Sequence, residues 1–159
     1  MLTDSFNFNE VLEMAKDIEQ KGREYYERQA EKTDDKKARE LFQRLACDEE
    51  DHYNRFSEIQ RQFQEKTGDK PDYISDKQVS LYLEALVEFT VFPADEASQE
   101  KIENLEDVIN MAIRAEKDSI LLYNEMKEYN RGKTQDVIEK LIEEEKEHLV
   151  ELLKLESEL

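Results

Sequence analysis

Apolar residues recur along this chain at steps of three and four, in four separate stretches. The first seam runs Phe8, Leu12, Ala15, Glu19, Gly22, Tyr26, and the second Leu41, Leu45, Glu49, His52, Phe56, Ile59. The third is Leu105, Ile109, Ala112, Glu116, Ser119, Tyr123, Met126, and the fourth Ile138, Leu141, Glu145, His148, Leu152, Leu155. That spacing places each set on one helix face, as in a seam packed against other helices. Four helices are therefore predicted, over about 7–31, 35–65, 104–130 and 134–158. Asn7 and Asn104 each stand three residues before an acid (Glu10, Asp107), the spacing of a capped helix start. Lys32-Thr33-Asp34 and Arg131-Gly132-Lys133 are short connections, so the helices they join should be antiparallel neighbours. Gly132 suits the C-terminus of the third helix. The middle connection is long, from about Gly68 to Glu103. It carries Pro71, Pro93 and an apolar stretch, Val79–Phe89, predicted as a short helix that covers the bundle or a dimer contact.

Every seam is broken at mid-height by an ionisable residue: Glu19, Glu49 with His52, Glu116, and Glu145 with His148. A carboxylate or imidazole in a helical interior must be paired or bound to a metal. Residues three apart share a helix face, so Glu49 and His52 can reach one point, as can Glu145 and His148. The pattern also repeats. Ala15, Glu19 and Tyr26 return as Ala112, Glu116 and Tyr123, a shift of 97 residues, and Leu45, Glu49 and His52 return as Leu141, Glu145 and His148, a shift of 96. Two similar hairpins related by a pseudo-two-fold would bring four carboxylates and two imidazoles to one centre. Four carboxylates offset two divalent cations, which makes such a centre tolerable inside a core. Nitrogen and oxygen donors in this mixture suit iron, manganese or zinc. The expected division is one His per ion, with Glu49 and Glu145 bridging and Glu19 and Glu116 outermost.

Neighbouring residues receive different readings. Asp48 and Glu144 precede each His by four and could also face it, but they lie about 100° off the seam. Glu50, Asp51, Glu143 and Glu147 read as solvent-facing. Tyr26 and Tyr123 lie two turns beyond Glu19 and Glu116. They are candidates to hydrogen-bond ligands or to act as redox-active phenols, and equally to be core aromatics with a satisfied hydroxyl. Gly22 and Ser119 leave space beside the acids or allow close helix packing. Cys47 is expected to face a neighbouring helix as filler.

Composition narrows the function classes. The 159 residues suit one domain, 1–159, and 40% charged residues with three Gly and two Pro favour long helices. No apolar run approaches the roughly 20 residues that span a bilayer. The first ten residues lack the basic-then-apolar order of a secretory signal, so a cytoplasmic location is expected. One cysteine rules out an internal disulfide framework. A net charge of -18 repels phosphate, which argues against nucleic acid and anionic membranes as partners and favours cations.

The chain resembles the rubrerythrin diiron domain of the ferritin-like superfamily. The resemblance rests on Ala15-x-x-x-Glu19 with Tyr26, Phe42-x-x-Leu45-Ala46-x-x-Glu49-Glu50-x-His52, Ala112-x-x-x-Glu116-Lys117 with Tyr123, and Glu143-Glu144-Glu145-x-x-His148. It implies an all-α, ferritin-like four-helix bundle whose crossover joins helices two and three. It also implies a non-haem site for two iron ions (manganese or zinc being possible) that reacts with hydrogen peroxide or oxygen. Rubrerythrins take electrons from a rubredoxin-type iron site. This chain has no Cys-x-x-Cys, so a separate donor protein such as a rubredoxin is expected, together with a homodimer. Rubrerythrins add a Glu where Ser119 stands, which leaves this chain the plain six-residue set shared with bacterioferritin. Glu50 and Asp51 occupy the gap where bacterioferritin places a haem-ligating Met, so haem is not expected. The rival expectations are an iron-handling ferroxidase and a non-enzymatic acidic helical module.

Overall fold

The structure is a computed structural model that describes residues 7–67, 81–83, 85 and 104–159. Four long helices dominate it: α1 (Phe8–Lys32), α2 (Lys36–Thr67), α3 (Leu105–Glu128) and α4 (Gly132–Ser157). Each lies within a few residues of its predicted range. Asn7 opens α1 with a reciprocal cap: its Oδ1 accepts from the Glu10 amide at 2.8 Å, and Glu10 accepts from the Asn7 amide at 3.1 Å. Asn104 caps α3 in the same way, accepting from the Asp107 amide at 2.9 Å. Asp35 does this for α2, accepting from the Ala38 amide at 2.8 Å. Each cap satisfies a backbone donor that a helix start leaves without an intrahelical partner.

Helix α1 packs along α2, and α3 along α4. The two hairpins then meet through α1 against α3 and α2 against α4. The four seams form the shared interior. Every seam residue is buried except Leu105, which is half-buried. Of the short helix predicted over Val79–Phe89, Leu81, Tyr82, Leu83 and Ala85 are helical, and Leu83 joins the core at 1% exposure. The rest of that stretch and of the Gly68–Glu103 connection lies outside the described residues. Among the described residues, no helix is long and apolar enough to cross a membrane.

Two expectations are corrected. Cys47 is exposed, lining an open groove with Glu27, Ala30 and Glu31 of α1, and is not buried filler. It stands two residues from both Leu45 and Glu49, about 200° around the helix from the seam. Gly132 does not close α3. That helix ends at Tyr129, whose amide bonds back to Met126 O and Lys127 O, and Gly132 instead begins α4 with φ +63°. A side chain there would meet nothing within 4 Å, so the glycine is required for its backbone conformation and not for space. Gly132→Ala should therefore destabilise the fold by about 1 kcal/mol through the left-handed conformation alone. Thermal unfolding followed by circular dichroism checks this, with a decrease of about 2–4 °C expected.

Candidate metal centre

The mid-height residues of all four seams converge. Glu19 (α1), Glu49 and His52 (α2), Glu116 (α3), and Glu145 and His148 (α4) are each 0–3% exposed. They form two overlapping groups, Glu19-Glu49-His52-Glu145 and Glu49-Glu116-Glu145-His148. Within each group the donor atoms lie within 4.8 Å of one another, close enough to hold a cation. Glu49 and Glu145 belong to both groups. One oxygen of Glu145 lies 3.1 Å from His52 Nδ1 and the other 3.1 Å from His148 Nδ1. Glu19 Oε2 lies 3.5 Å from His52 Nδ1, while Glu49 Oε1 and Glu116 Oε1 lie 3.4 and 3.7 Å from His148 Nδ1. The two imidazoles stack with centroids 5.4 Å apart and planes 16° from parallel.

The hairpins support each other reciprocally. The Tyr26 hydroxyl on α1 donates to Glu116 on α3, and the Tyr123 hydroxyl on α3 donates to Glu19 on α1. Each tyrosine is fully buried and its hydroxyl bonds a carboxylate of the cluster. Ser119 is buried, and its hydroxyl donates to Ala115 O of its own helix.

A second layer was not assigned from the sequence. His148 Nε2 lies 3.1 Å from Asp48 Oδ2, and His52 Nε2 lies 2.8 Å from Glu144 Oε2. Asp48 and Glu144 thus serve the histidine of the opposite hairpin, not the one four residues along their own helix. Arg55 binds Glu144 in turn, at 2.8–3.0 Å. Carboxylates on Nε2 fix each ring with Nδ1 turned to the centre, the arrangement that orients metal-binding histidines. The readable signal was an acid immediately before each of Glu49 and Glu145, in register with the repeat. Glu50, Asp51, Glu143 and Glu147 are exposed, as expected.

Electrostatics divide the six groups. Burial pushes the Glu145 carboxyl up to about 8, reinforced by Glu116 and Glu19. Burial likewise carries Glu49 well above the usual carboxylate range, with Glu19, Glu145 and Glu116 adding to it. For Glu19 burial works in the same direction but is outweighed by Glu49, His52 and Tyr123, which hold it at about 2. Glu116 is also lowered, burial being overcome chiefly by His148. Burial disfavours the charged imidazoles, yet Glu145 and Glu19 push His52 up to about 11, and Asp48, Glu116 and Glu145 raise His148 as well. Without cations, these shifts bring the interior to neutrality with protons on both rings and on two of the four carboxyls, Glu49 and Glu145. Even then Glu19 Oε2 and Glu49 Oε1 are buried without a hydrogen-bond partner. Orphaned buried carboxylate oxygens are costly, and two divalent ions would satisfy both the charge and the orphans. The donor set therefore fits a di-metal site.

Comparison with known proteins agrees with this geometry. The rubrerythrin family pattern matches residues 10–156. The crystal structure of a ferritin-like diiron-carboxylate protein from Thermotoga maritima is similar at a TM-score of 0.73 and 25% identity, over 99% of each chain. Comparison with curated proteins finds no match. Because the family pattern spans all four helices and both halves of the carboxylate–histidine cluster, the chain belongs to the rubrerythrin family.

Proposed function

We propose that this protein is a non-haem diiron oxidoreductase that reduces hydrogen peroxide or reacts with oxygen. The observation that carries the reading is the pair of Glu/His groups sharing Glu49 and Glu145. In this reading Glu19 and His52 would hold one ion and Glu116 and His148 the other, with Glu49 and Glu145, which belong to both groups, serving both. Two ferrous ions would supply the two electrons that cleave an O–O bond, with two protons per peroxide yielding water. Iron is the metal chosen, with manganese and zinc compatible with the same donors.

The chain's own part is positional. Tyr26 and Tyr123 keep their protons, because burial and the adjoining carboxylates raise both hydroxyls well above the usual value. They therefore remain donors that orient Glu116 and Glu19. Asp48 and Glu144 hold the proton on each Nε2 and leave Nδ1 free for a cation. The surrounding seam residues keep bulk water away. Electrons return from a separate donor protein such as a rubredoxin, and the chain works as a homodimer in the cytoplasm.

Anaerobic reconstitution with ferrous iron tests this reading. About two ions should bind per chain, as the two donor groups imply. Peroxide should then oxidise them rapidly, consuming one peroxide for each ion pair, as followed by the rise of ferric absorption. Iron that binds but stays ferrous with both peroxide and oxygen would overturn the proposed chemistry. A closed cage in solution, in place of a dimer, would favour iron storage.

A further inference from the structure

The two hairpins repeat, but their outer faces over the centre differ. Between α1 and α2 a small cavity of about 140 Å³ is lined by Glu19, Gln20, Arg23, Glu49, Glu50 and Tyr53. Two of these residues, Glu19 and Glu49, belong to the cluster and carry the buried oxygens without hydrogen-bond partners. The cavity can hold a few water-sized molecules. At its rim Arg23 Nη1 faces Glu50 Oε1 at 3.4 Å, with the side chains 37% and 58% exposed. A solvated pair of this kind is weak and separates readily. Lys16 lies over the Tyr53 ring, 5.2 Å from its centroid, and so holds the third rim residue in place.

The repeat supplies the comparison. With the same shifts of 97 and 96 residues, Arg23 corresponds to Ile120, Glu50 to Lys146 and Tyr53 to Leu149. Ile120 and Leu149 are partly buried and packed on the core. The polar rim of one face is thus an apolar plug on the other. Lys146 would also repel an approaching cation where Glu50 attracts one.

We propose that divalent ions reach the centre through the α1/α2 face, past the Arg23–Glu50 pair as its gate, and not through the α3/α4 face. The proposal rests on the metal reading of the centre. Glu50 draws the cation to the rim. Separation of the pair opens the cavity, and Glu19 and Glu49, which line it, are the first ligands met. The final count of bound ions does not depend on the gate, whereas the rate of loading does.

Stopped-flow absorbance of Co2+ uptake, with Co2+ as the only ligand, tests the route. Arg23→Trp should fill the rim and slow uptake by an order of magnitude or more, with the same number of ions bound at equilibrium. Ile120→Trp on the opposite face should leave the rate within about twofold, since charge and rim are unchanged there. A second pair changes charge at exposed positions and does not disturb the fold. Glu50→Lys breaks the pair but sets a second positive charge beside Arg23 at the rim, and this repulsion should slow uptake by about threefold to tenfold; Glu147→Lys, the same charge change on α4, should slow it by much less. Equal rates in variants that bind the full complement of ions would overturn the route, as would equal slowing from both faces. Failure of the unaltered chain to bind any Co2+ or ferrous iron would overturn the metal reading, and the route with it.

Discussion

Glu145→Ala should abolish the binding of both metal ions, not of one. Its two oxygens each stand 3.1 Å from a different imidazole Nδ1, so truncation takes a donor from both positions at once. The loss also leaves His52 and His148 without the carboxylate between them, at the point where the two ions would repel each other most. Glu49→Ala has the same consequence, because Glu49 also belongs to both donor groups. The double variant, Glu49→Ala with Glu145→Ala, should bind essentially no iron while retaining its helices. Two of the buried carboxyls that disfavour the metal-free interior are gone, and the apolar seams remain. Glu19→Ala behaves differently. Glu19 belongs to the His52 group alone, so one ion should be lost and the His148 position kept. Metal content by mass spectrometry, paired with far-ultraviolet circular dichroism, separates these results. If Glu145→Ala keeps a full complement, the bridging role is wrong.

The second large effect is on stability and its dependence on pH. Ions that bind only the folded chain stabilise it by about 4 kcal/mol at a thousandfold excess over Kd. For a chain of this length that corresponds to an increase of about 10 °C in the unfolding temperature. Loading must also displace protons, because the ligands bind as free bases. Both imidazoles are raised, and so are Glu49 and Glu145, so about four protons should leave as two ions enter. Calorimetry in buffers of different ionisation heat measures that number. The two forms should then respond to pH in opposite ways. The metal-free fold holds protons that the unfolded chain releases. It should lose stability as pH rises from the ordinary carboxyl value of 4.5 to about 8 through Glu145, and from 6.5 to about 11 through His52. Glu19, held at about 2, acts the other way and only in the acid range. Metal affinity should instead rise with pH over the neutral range. Unfolding temperatures with and without chelator, from about pH 6 to pH 9, should diverge.

The helices and the six central residues were legible because a three-four period is a direct statement about which side chains share a face. Glu49 and Glu145 follow Leu45 and Leu141 along the seam, so their inward direction could be read without knowing where any other helix lay. Asp48 and Glu144 show the limit of that reasoning. Their partners lie on the other hairpin, and that pairing depends on the stagger between hairpins, which no local period encodes. Arg55 was unreadable for the same reason. Cys47 was misread although its angle was available: two residues from a seam position points outward. Gly132 followed the preference for glycine after a helix, but the left-handed residue here begins one. The cavity between α1 and α2 depends on what Arg23 and Tyr53 fail to fill, and its sequence trace is a difference between the halves (Arg23 against Ile120, Tyr53 against Leu149).

The reciprocal tyrosines have a consequence for assembly. Each hairpin lends its phenol to steady an acid on the other, so neither half contains a finished coordination sphere. A cation could therefore not be held by one half in isolation, because each donor group draws on both hairpins. Such a clasp explains how two matching arms can diverge on their outer faces while their inner residues stay coupled.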